Sequence, residues 1–263
     1  MLGPALLFCP ADRPDRYAKA ADAADSVILD LEDAVAPENR AAARESLLAT
    51  RLDPSRTIIR VNPVTTSDFA LDVAALRQTD YGTVMLAKTE TPEQLDALAD
   101  FEVIALCETP AGVENSGRIA AVAHVIALMW GAEDLVSAIG GRSSRRQDGS
   151  YRDVARFARS RVLIAAAAAG KAAIDTVHLD IADLDGLAAE VEDAAAVGFA
   201  ATACIHPSQV AVIRQGYKPT PDEISWAERV LDAAESNPGV FRFEGRMVDS
   251  PVLVQARAVL ARR

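Results

Sequence analysis

Eight short apolar runs of strand length punctuate the chain: Ala5–Cys9, Val27–Leu29, Thr57–Val61, Thr83–Ala87, Val103–Cys107, Val125–Trp130, Ile174–Leu179 and Ala201–Ile205. Longer segments between them space their apolar residues as helices do. Several of these open on helix-start signals: Pro14 before Asp15–Ala24, Pro37 before Glu38–Leu48, and Thr91-Pro92 before Glu93–Ala99. The strand-length runs are continuously apolar rather than alternating, which suits parallel strands covered on both faces. Strand then helix, eight times over, is the rhythm of a closed barrel. The alternative is an open doubly wound sheet, which often carries a glycine-rich turn after its first strand. No such turn follows Ala5–Cys9. The predicted fold is therefore α/β: a (β/α)8 TIM barrel over residues 1–220 with a C-terminal helical arm over residues 221–263.

Two segments exceed the repeat. A polar loop, Ser143 to Ser150, and a long alanine-rich helix, Arg152 to Lys171, lie between the sixth and seventh strands. After the eighth unit, a helix from Pro221 to Ser236 leads through Phe241–Pro251 to a last helix ending at Arg263. The 263 residues fit a single barrel of about 250 without a second large domain. Half of the residues are apolar, enough for a sizeable core. The 27 basic against 38 acidic residues leave a net charge of −11, so nothing in the global charge favours nucleic acid or an anionic membrane, and an anionic ligand must be met by local basic groups. Cys9, Cys107 and Cys204 are scattered inside apolar runs, as buried thiols are, and do not form a disulfide or zinc pattern. The first ten residues lack a basic flank and cleavage pattern, and no apolar stretch approaches the roughly 20 residues of a membrane span. The expectation is a soluble, cytoplasmic protein.

Charged residues gather just past the strand ends, the face on which such barrels place their chemistry. Strand two runs into Asp30-Leu31-Glu32-Asp33, strand three carries Arg60, strand four meets Lys88, strand five ends at Glu108, and strand six leads into Gly131-Ala132-Glu133-Asp134. Taken singly, Asp33 or Glu133 reads as a solvated loop residue or a helix cap. Carboxylates converging on one rim repel unless a cation sits among them, and an all-oxygen set suits Mg2+, with Mn2+ as the alternative. Arg60 offers a planar fork for a carboxylate ligand; its alternative role is an ion pair that lets Asp30 or Glu32 be buried. Lys88 reads as an ion-pair partner of a strand-end acid rather than a Schiff-base amine. His178 and His206 follow strands seven and eight as structural histidines or bases. No nucleophile elbow, P-loop or His-Glu-x-x-His helix is present.

An ordered set of blocks then carries a resemblance. Phe8-Cys9-Pro10-Ala11-Asp12-Arg13-Pro14, Ile28 to Val35, Ile59-Arg60-Val61-Asn62, Glu108-Thr109, Gly131-Ala132-Glu133-Asp134-Leu135, Cys204 to Gln209 and Met247-Val248-Asp249-Ser250-Pro251 resemble the citrate lyase β-subunit-like proteins of the HpcH/HpaI aldolase superfamily. The likeness spans nearly the whole chain and is nearest to the stand-alone acyl-CoA lyases of actinobacterial type. Ala87-Lys88 stands where that family commonly has Pro-Lys, Thr202-Ala203 where it often has Gly-Lys, and Ala11-Asp12 where it has a Pro-Gly-like turn.

The resemblance implies a homotrimeric (β/α)8 barrel that uses Mg2+ to cleave or form a carbon–carbon bond in a 3-hydroxyacyl-CoA thioester. Its small-molecule ligands would be an acyl-CoA and an oxo acid, with coenzyme A arriving as part of the substrate. Carried over by motif, Glu108 and Asp134 would hold the metal, Arg60 would bind the substrate carboxylate, and the backbone of Gly131, Ala132 and Glu133 would touch the oxo acid. Glu32 is expected to order a metal-bound water. Arg13 and Lys19, with Arg145 and Arg146 behind them, are the candidates to meet the coenzyme phosphates; their alternative is ordinary surface charge. Asp249 precedes Ser250-Pro251, so its plain role is at a helix N-terminus. In the resembled family the matching aspartate is a general acid/base that reaches a neighbouring subunit's site. Two further readings stand beside the lyase: a coenzyme-independent 2-keto acid aldolase, and a binding subunit that needs a partner for activity.

Overall fold

In the computed structural model, which describes residues 3–263, eight parallel strands close into a barrel in sequence order. They are β1 Ala5–Pro10, β2 Ser26–Asp30, β3 Thr57–Val61, β4 Thr83–Leu86, β5 Glu102–Cys107, β6 Val125–Trp130, β7 Ala172–Asp175 and β8 Ala201–Cys204. Closure is made by β1 pairing with β8, Leu6 opposite Ala203. The helices of this part are α1 Pro14–Ala23, α2 Arg40–Ala49, α3 Ser67–Leu76, α4 Pro110–Ala120, α5 Ala132–Ala138, α6 Asp153–Ala168, α7 Leu184–Val197 and α8 Pro207–Tyr217. Pro14 and Pro110 stand where a missing N–H costs nothing, and Thr109 caps α4 by accepting the Gly112 N–H at 3.1 Å.

The barrel interior is filled by Leu6, Ile28, Ile58, Met85, Ile104, Leu106, Ala127, Met129, Ile174, Ala201 and Ala203, all buried. Each large aliphatic side chain so removed from water contributes roughly 1.5–3 kcal/mol. The open-sheet alternative is excluded by the closed strand order. Among the described residues no helix is long and apolar enough to cross a membrane. Cys9, Cys107 and Cys204 are buried free thiols.

Local differences from the sequence reading have physical causes. The seventh strand is Ala172–Asp175, not Ile174–Leu179. Asp175 can occupy a strand because its carboxylate is neutralised in place: Trp130 Nε1 donates at 2.6 Å and Arg159 Nη2 at 2.8 Å. Past it, Leu179 is 51% exposed, so the end of that apolar run was never core. The segment expected as a helix over Glu93–Ala99 is a 3-10 helix, Pro92–Leu98, whose start is tied by Gln94 accepting the backbone N–H of Glu90 at 2.7 Å. The short helix α5 had not been anticipated.

The chain forms two compact units, Met1–Ile213 and Arg214–Arg263. The second contains α9 Pro221–Ser236, a hairpin of β9 Phe241–Phe243 and β10 Arg246–Val248, and α10 Ser250–Ala261. A capping box opens α9: Thr220 Oγ1 accepts from the Glu223 N–H at 3.2 Å, and Glu223 accepts from the Thr220 N–H at 2.7 Å. The hairpin turn runs through Glu244 and Gly245, with φ of 48° and 81°, the left-handed pair that a tight two-residue hairpin turn demands. Ala227, Val230, Val248 and Ala256 form this unit's small core.

Candidate active site

Period-2 alternation builds the site. Ile28, Ile58 and Leu106 face the barrel interior. Two residues further along the same strands, and hence on the same face, come Asp30, Arg60 and Glu108. The inner layer therefore changes from apolar to charged at the strands' C-terminal ends. Asp30 and Arg60 are register partners. Arg60 donates to both Asp30 oxygens at 2.6 Å, from Nε and from Nη2, and its guanidinium carbon lies 4.8 Å from the centre of the Phe8 ring. Asp30 also accepts the backbone N–H groups of Glu32 and Ala34 at 2.9 and 3.1 Å. Both residues are buried, so removing either would strand the other's charge. Burial disfavours the Arg60 charge, but Asp30 and Glu32 more than offset this and keep the guanidinium protonated. Its Nη1 lies 3.0 Å from Glu32 Oε2.

Lys88 ties the remaining acids together. Its Nζ contacts Glu32 Oε1, lies 3.1 Å from Asp33 Oδ2 and lies 3.3 Å from Asp134 Oδ1, while its backbone N–H donates to Glu108 Oε1 at 3.1 Å. Burial alone would depress the Lys88 ammonium; Glu32 and the other acids reverse this and raise it above the usual lysine range. A lysine held protonated is not a Schiff-base nucleophile. Burial pushes Glu32 above the usual carboxylate range despite Arg60 and Lys88. Partial desolvation would raise Asp33, an exposed residue, but Lys88 holds its carboxyl below the usual range.

Glu108 is the most strained charge on the rim. It is 3% exposed, and burial together with nearby Asp134 pushes its carboxyl up to about 8 against the pull of Arg60. It packs so closely on Gly131 that a Cβ there would lie 2.7 Å from Glu108 Oε2 and 2.9 Å from its Cβ. Only glycine leaves room for this carboxylate. Asp30, Glu32, Asp33, Glu108 and Asp134 thus outnumber Arg60 and Lys88 five groups to two. Glu32 Oε2, although within ion-pair reach of Arg60, has no hydrogen-bond donor. Among the described residues no three His, Cys, Asp or Glu side chains form a ready-made metal cage. The donor set instead fits a hard divalent cation held by one or two carboxylates that keeps several waters, the habit of Mg2+.

A cleft of about 350 Å3 opens beside the cluster, lined by Glu32, Asp33, Arg40, Asn62, Lys88 and Thr109 among others. Asn62, fully buried at the end of β3, donates to Leu31 O at 2.9 Å and to Asp72 Oδ2 at 2.7 Å. Arg40 is paired to Asp68 at 2.8 Å. Neither is a candidate in the sequence reading; position just past a strand end is a signal for Asn62, whereas Arg40 opens α2, ten residues beyond β2, and carries no such signal. Gly131, Ala132 and Glu133 open α5, whose first N–H groups have no partner within the helix, and the Glu133 side chain takes a hydrogen bond from Ser144 Oγ.

Other sequence candidates fall elsewhere. Arg13 is 43% exposed and forks onto Asp15 at 2.9 and 2.8 Å; Lys19 is exposed on α1. Arg145 pairs with Glu190 of α7 and stacks 4.0 Å over Tyr151, and Arg146 pairs with Asp153 at the start of α6 at 3.1 Å, so both fasten their loop to neighbouring helices. His178 is buried, with Nδ1 2.9 Å from Glu190, and exposed His206 bonds Ser208 at 2.7 Å. Asp249, in the second unit, has extended backbone just before α10, and its side chain makes no capping bond.

The Glu108 environment has a measurable consequence. Its carboxyl titrates higher in the folded chain than in the unfolded one, so its favourable contribution is present at low pH and is lost as pH rises towards about 8. In chelator, the Glu108→Gln protein is expected to gain in melting temperature relative to the parent by several degrees as pH is raised from about 5 to about 8. Parallel melting curves across that range would show that Glu108 carries no such load.

Comparison with known proteins identifies relatives over almost the whole chain. A citrate lyase subunit beta-like protein of Mycobacterium tuberculosis is 56% identical over 260 residues, covering 99% of this chain and 95% of the relative. The mitochondrial citramalyl-CoA lyase of Homo sapiens is 30% identical over 287 residues, covering 96% and 83%. The crystal structure of Mycobacterium tuberculosis CitE in complex with magnesium, acetoacetate and coenzyme A superposes with a TM-score of 0.96 at 56% identity, covering 99% of this chain and 97% of that one. The HpcH/HpaI aldolase/citrate lyase model matches residues 5–207. With its closed barrel, its acidic rim and these relatives, the chain belongs to the HpcH/HpaI aldolase/citrate lyase family.

Proposed function

We propose that this protein is a Mg2+-dependent carbon–carbon lyase that cleaves, or forms, 3-hydroxyacyl-CoA thioesters, giving acetyl-CoA or another acyl-CoA plus an oxo acid. The observation that carries the reading is the surplus of carboxylates around Glu108 and Asp134, in a chain 56% identical to a protein whose structure holds magnesium, acetoacetate and coenzyme A. Glu108 and Asp134 would hold the metal, and Glu32, with one oxygen lacking a donor, would order a metal-bound water. Bound there, Mg2+ would supply Lewis-acid polarisation of the oxygen that becomes the oxo group.

The protein's own residues do the rest. Asp30 holds the Nε/Nη2 edge of the Arg60 guanidinium, and Nη1, now 3.0 Å from Glu32 Oε2, would turn to the substrate carboxylate. The backbone of Gly131, Ala132 and Glu133 meets the oxo acid. As the C–C bond breaks, the hydroxyl becomes the oxo group and gives its proton to the water that Glu32 would order, leaving an enolate carbon on the thioester; Asp249 donates the proton that quenches that carbon, and both transfers reverse in condensation. Arg13 and Lys19, rather than Arg145 and Arg146, remain the basic groups for the coenzyme phosphates. A homotrimer is proposed, with Asp249 completing a neighbouring subunit's site.

The test is a panel of 3-hydroxyacyl-CoA thioesters incubated with the pure protein and Mg2+. Metal-dependent appearance of an acyl-CoA and an oxo acid is expected, with kcat/KM ranking the acyl groups. Turnover of free 2-keto acids alone would favour the coenzyme-independent aldolase, and no turnover without an added protein would favour the binding subunit. Within the same assay, Arg60→Lys is expected to raise KM and lower kcat, together about 10- to 100-fold in kcat/KM, because a point charge does not reproduce a fork. Unchanged kinetics would leave Arg60 only as the counter-ion of Asp30.

A further inference from the structure

Lys88 stands out in two independent ways. It is one of two non-glycine residues with a left-handed backbone among those described, at φ 50°. Both sit in turns: Glu244 in the β9–β10 hairpin, and Lys88 in the turn that directly follows barrel strand β4. Its strain is held from both sides: Ala87 N–H donates to Val61 O at 3.4 Å, Thr89 N–H to Leu106 O at 2.9 Å, and Thr89 Oγ1 to Leu86 O at 2.8 Å. Strain maintained this firmly at a strand end marks a working position. Secondly, this one residue reaches four acids: Glu108 through its N–H, and Glu32, Asp33 and Asp134 through its ammonium.

The ammonium therefore stands among the charges that a divalent cation would use. Mg2+ needs oxygens at close octahedral distances and binds through few carboxylates. Asp134, one of its two proposed ligands, already has the Lys88 Nζ 3.3 Å away. A metal arriving at Asp134 meets a like charge at short range in a half-buried site, where screening is weak. Resting on the metal reading above, we infer that Lys88 is a positioning residue whose ammonium competes with the divalent cation for the rim carboxylates and so sets the metal affinity. Its backbone N–H meanwhile holds Glu108 in place, so side chain and main chain pull the affinity in opposite directions.

That opposition makes the test sharp. Lys88→Met removes the charge, and Lys88→Gly removes it while keeping the N–H and accepting the left-handed backbone without strain. Mn2+ titrated into parent and variants at neutral pH, with free ion read by electron paramagnetic resonance, is expected to bind about tenfold tighter to both neutral variants. Lys88→Arg, which keeps the charge, is expected to stay within about threefold of the parent. Equal or weaker Mn2+ binding by Lys88→Met and Lys88→Gly, in proteins that still melt cooperatively, would overturn this inference alone. A parent that does not bind Mn2+ would overturn the metal reading as well.

Discussion

Asp249→Ala is expected to lose about 10²- to 10⁴-fold in kcat while keeping its affinity for metal and thioester, the range general acid–base groups supply. The plain alternative is that Asp249 serves the N-terminus of α10, where an acidic cap contributes about 0.5–2 kcal/mol. The structure bears on the cap alone: the Asp249 carboxylate accepts no N–H from the first turn of α10, and Ala256 of that helix packs in its own unit's core beside Val248 of β10. Little stability therefore depends on this carboxylate. An activity loss with an unshifted melting temperature identifies chemistry; a lowered melting temperature with intact kcat identifies a cap. If the acid acts across subunits, mixing Asp249→Ala with Glu108→Ala protein should regain part of the activity through hybrid sites. Failure to complement after verified subunit exchange would remove the cross-subunit claim, and full activity of Asp249→Ala would remove the catalytic one.

Glu108→Ala is expected to abolish Mg2+-dependent turnover, by about 10³-fold or more, and to lose Mn2+ binding. Glu108 is 3% exposed, sits against Gly131 and is surrounded by more acids than bases, so an unfilled site disfavours its ionised form. A cation reverses that preference, which couples metal binding to loss of a proton near neutral pH. Glu108→Gln keeps the shape without the charge and should be equally inactive yet folded. Full metal-dependent activity in either variant would withdraw Glu108 from the metal site.

The barrel was legible because parallel strands covered on both faces leave uninterrupted apolar runs, and Thr57–Val61 and Val125–Trp130 match the observed strands. The seventh strand was not, since Ala172 and Ala173 blend into the preceding alanine-rich helix and Asp175 reads as a breaker until Arg159 and Trp130 are placed beside it. The hairpin at Glu244-Gly245 was passed over because its strands are only three residues each. Within the site, strand-end acids and Arg60 could be read from position alone, and their shared inner face follows from period-2 spacing. What position does not reveal is distance: the closeness of Glu108 to Gly131 and the reach of Lys88 from a left-handed backbone appear only once the strands are closed.

Carbon–carbon cleavage and hydrolysis of the thioester leave different products, since an activated water at the same rim would give free thiol instead. The deciding measurement is a mass balance on one 3-hydroxyacyl-CoA in the presence of Mg2+, following thioester, oxo acid and free coenzyme A together. One acyl-CoA and one oxo acid formed for each substrate consumed, with no free thiol and no reaction in chelator, is the expected result. Free coenzyme A released in step with substrate loss, without oxo acid, would contradict the account.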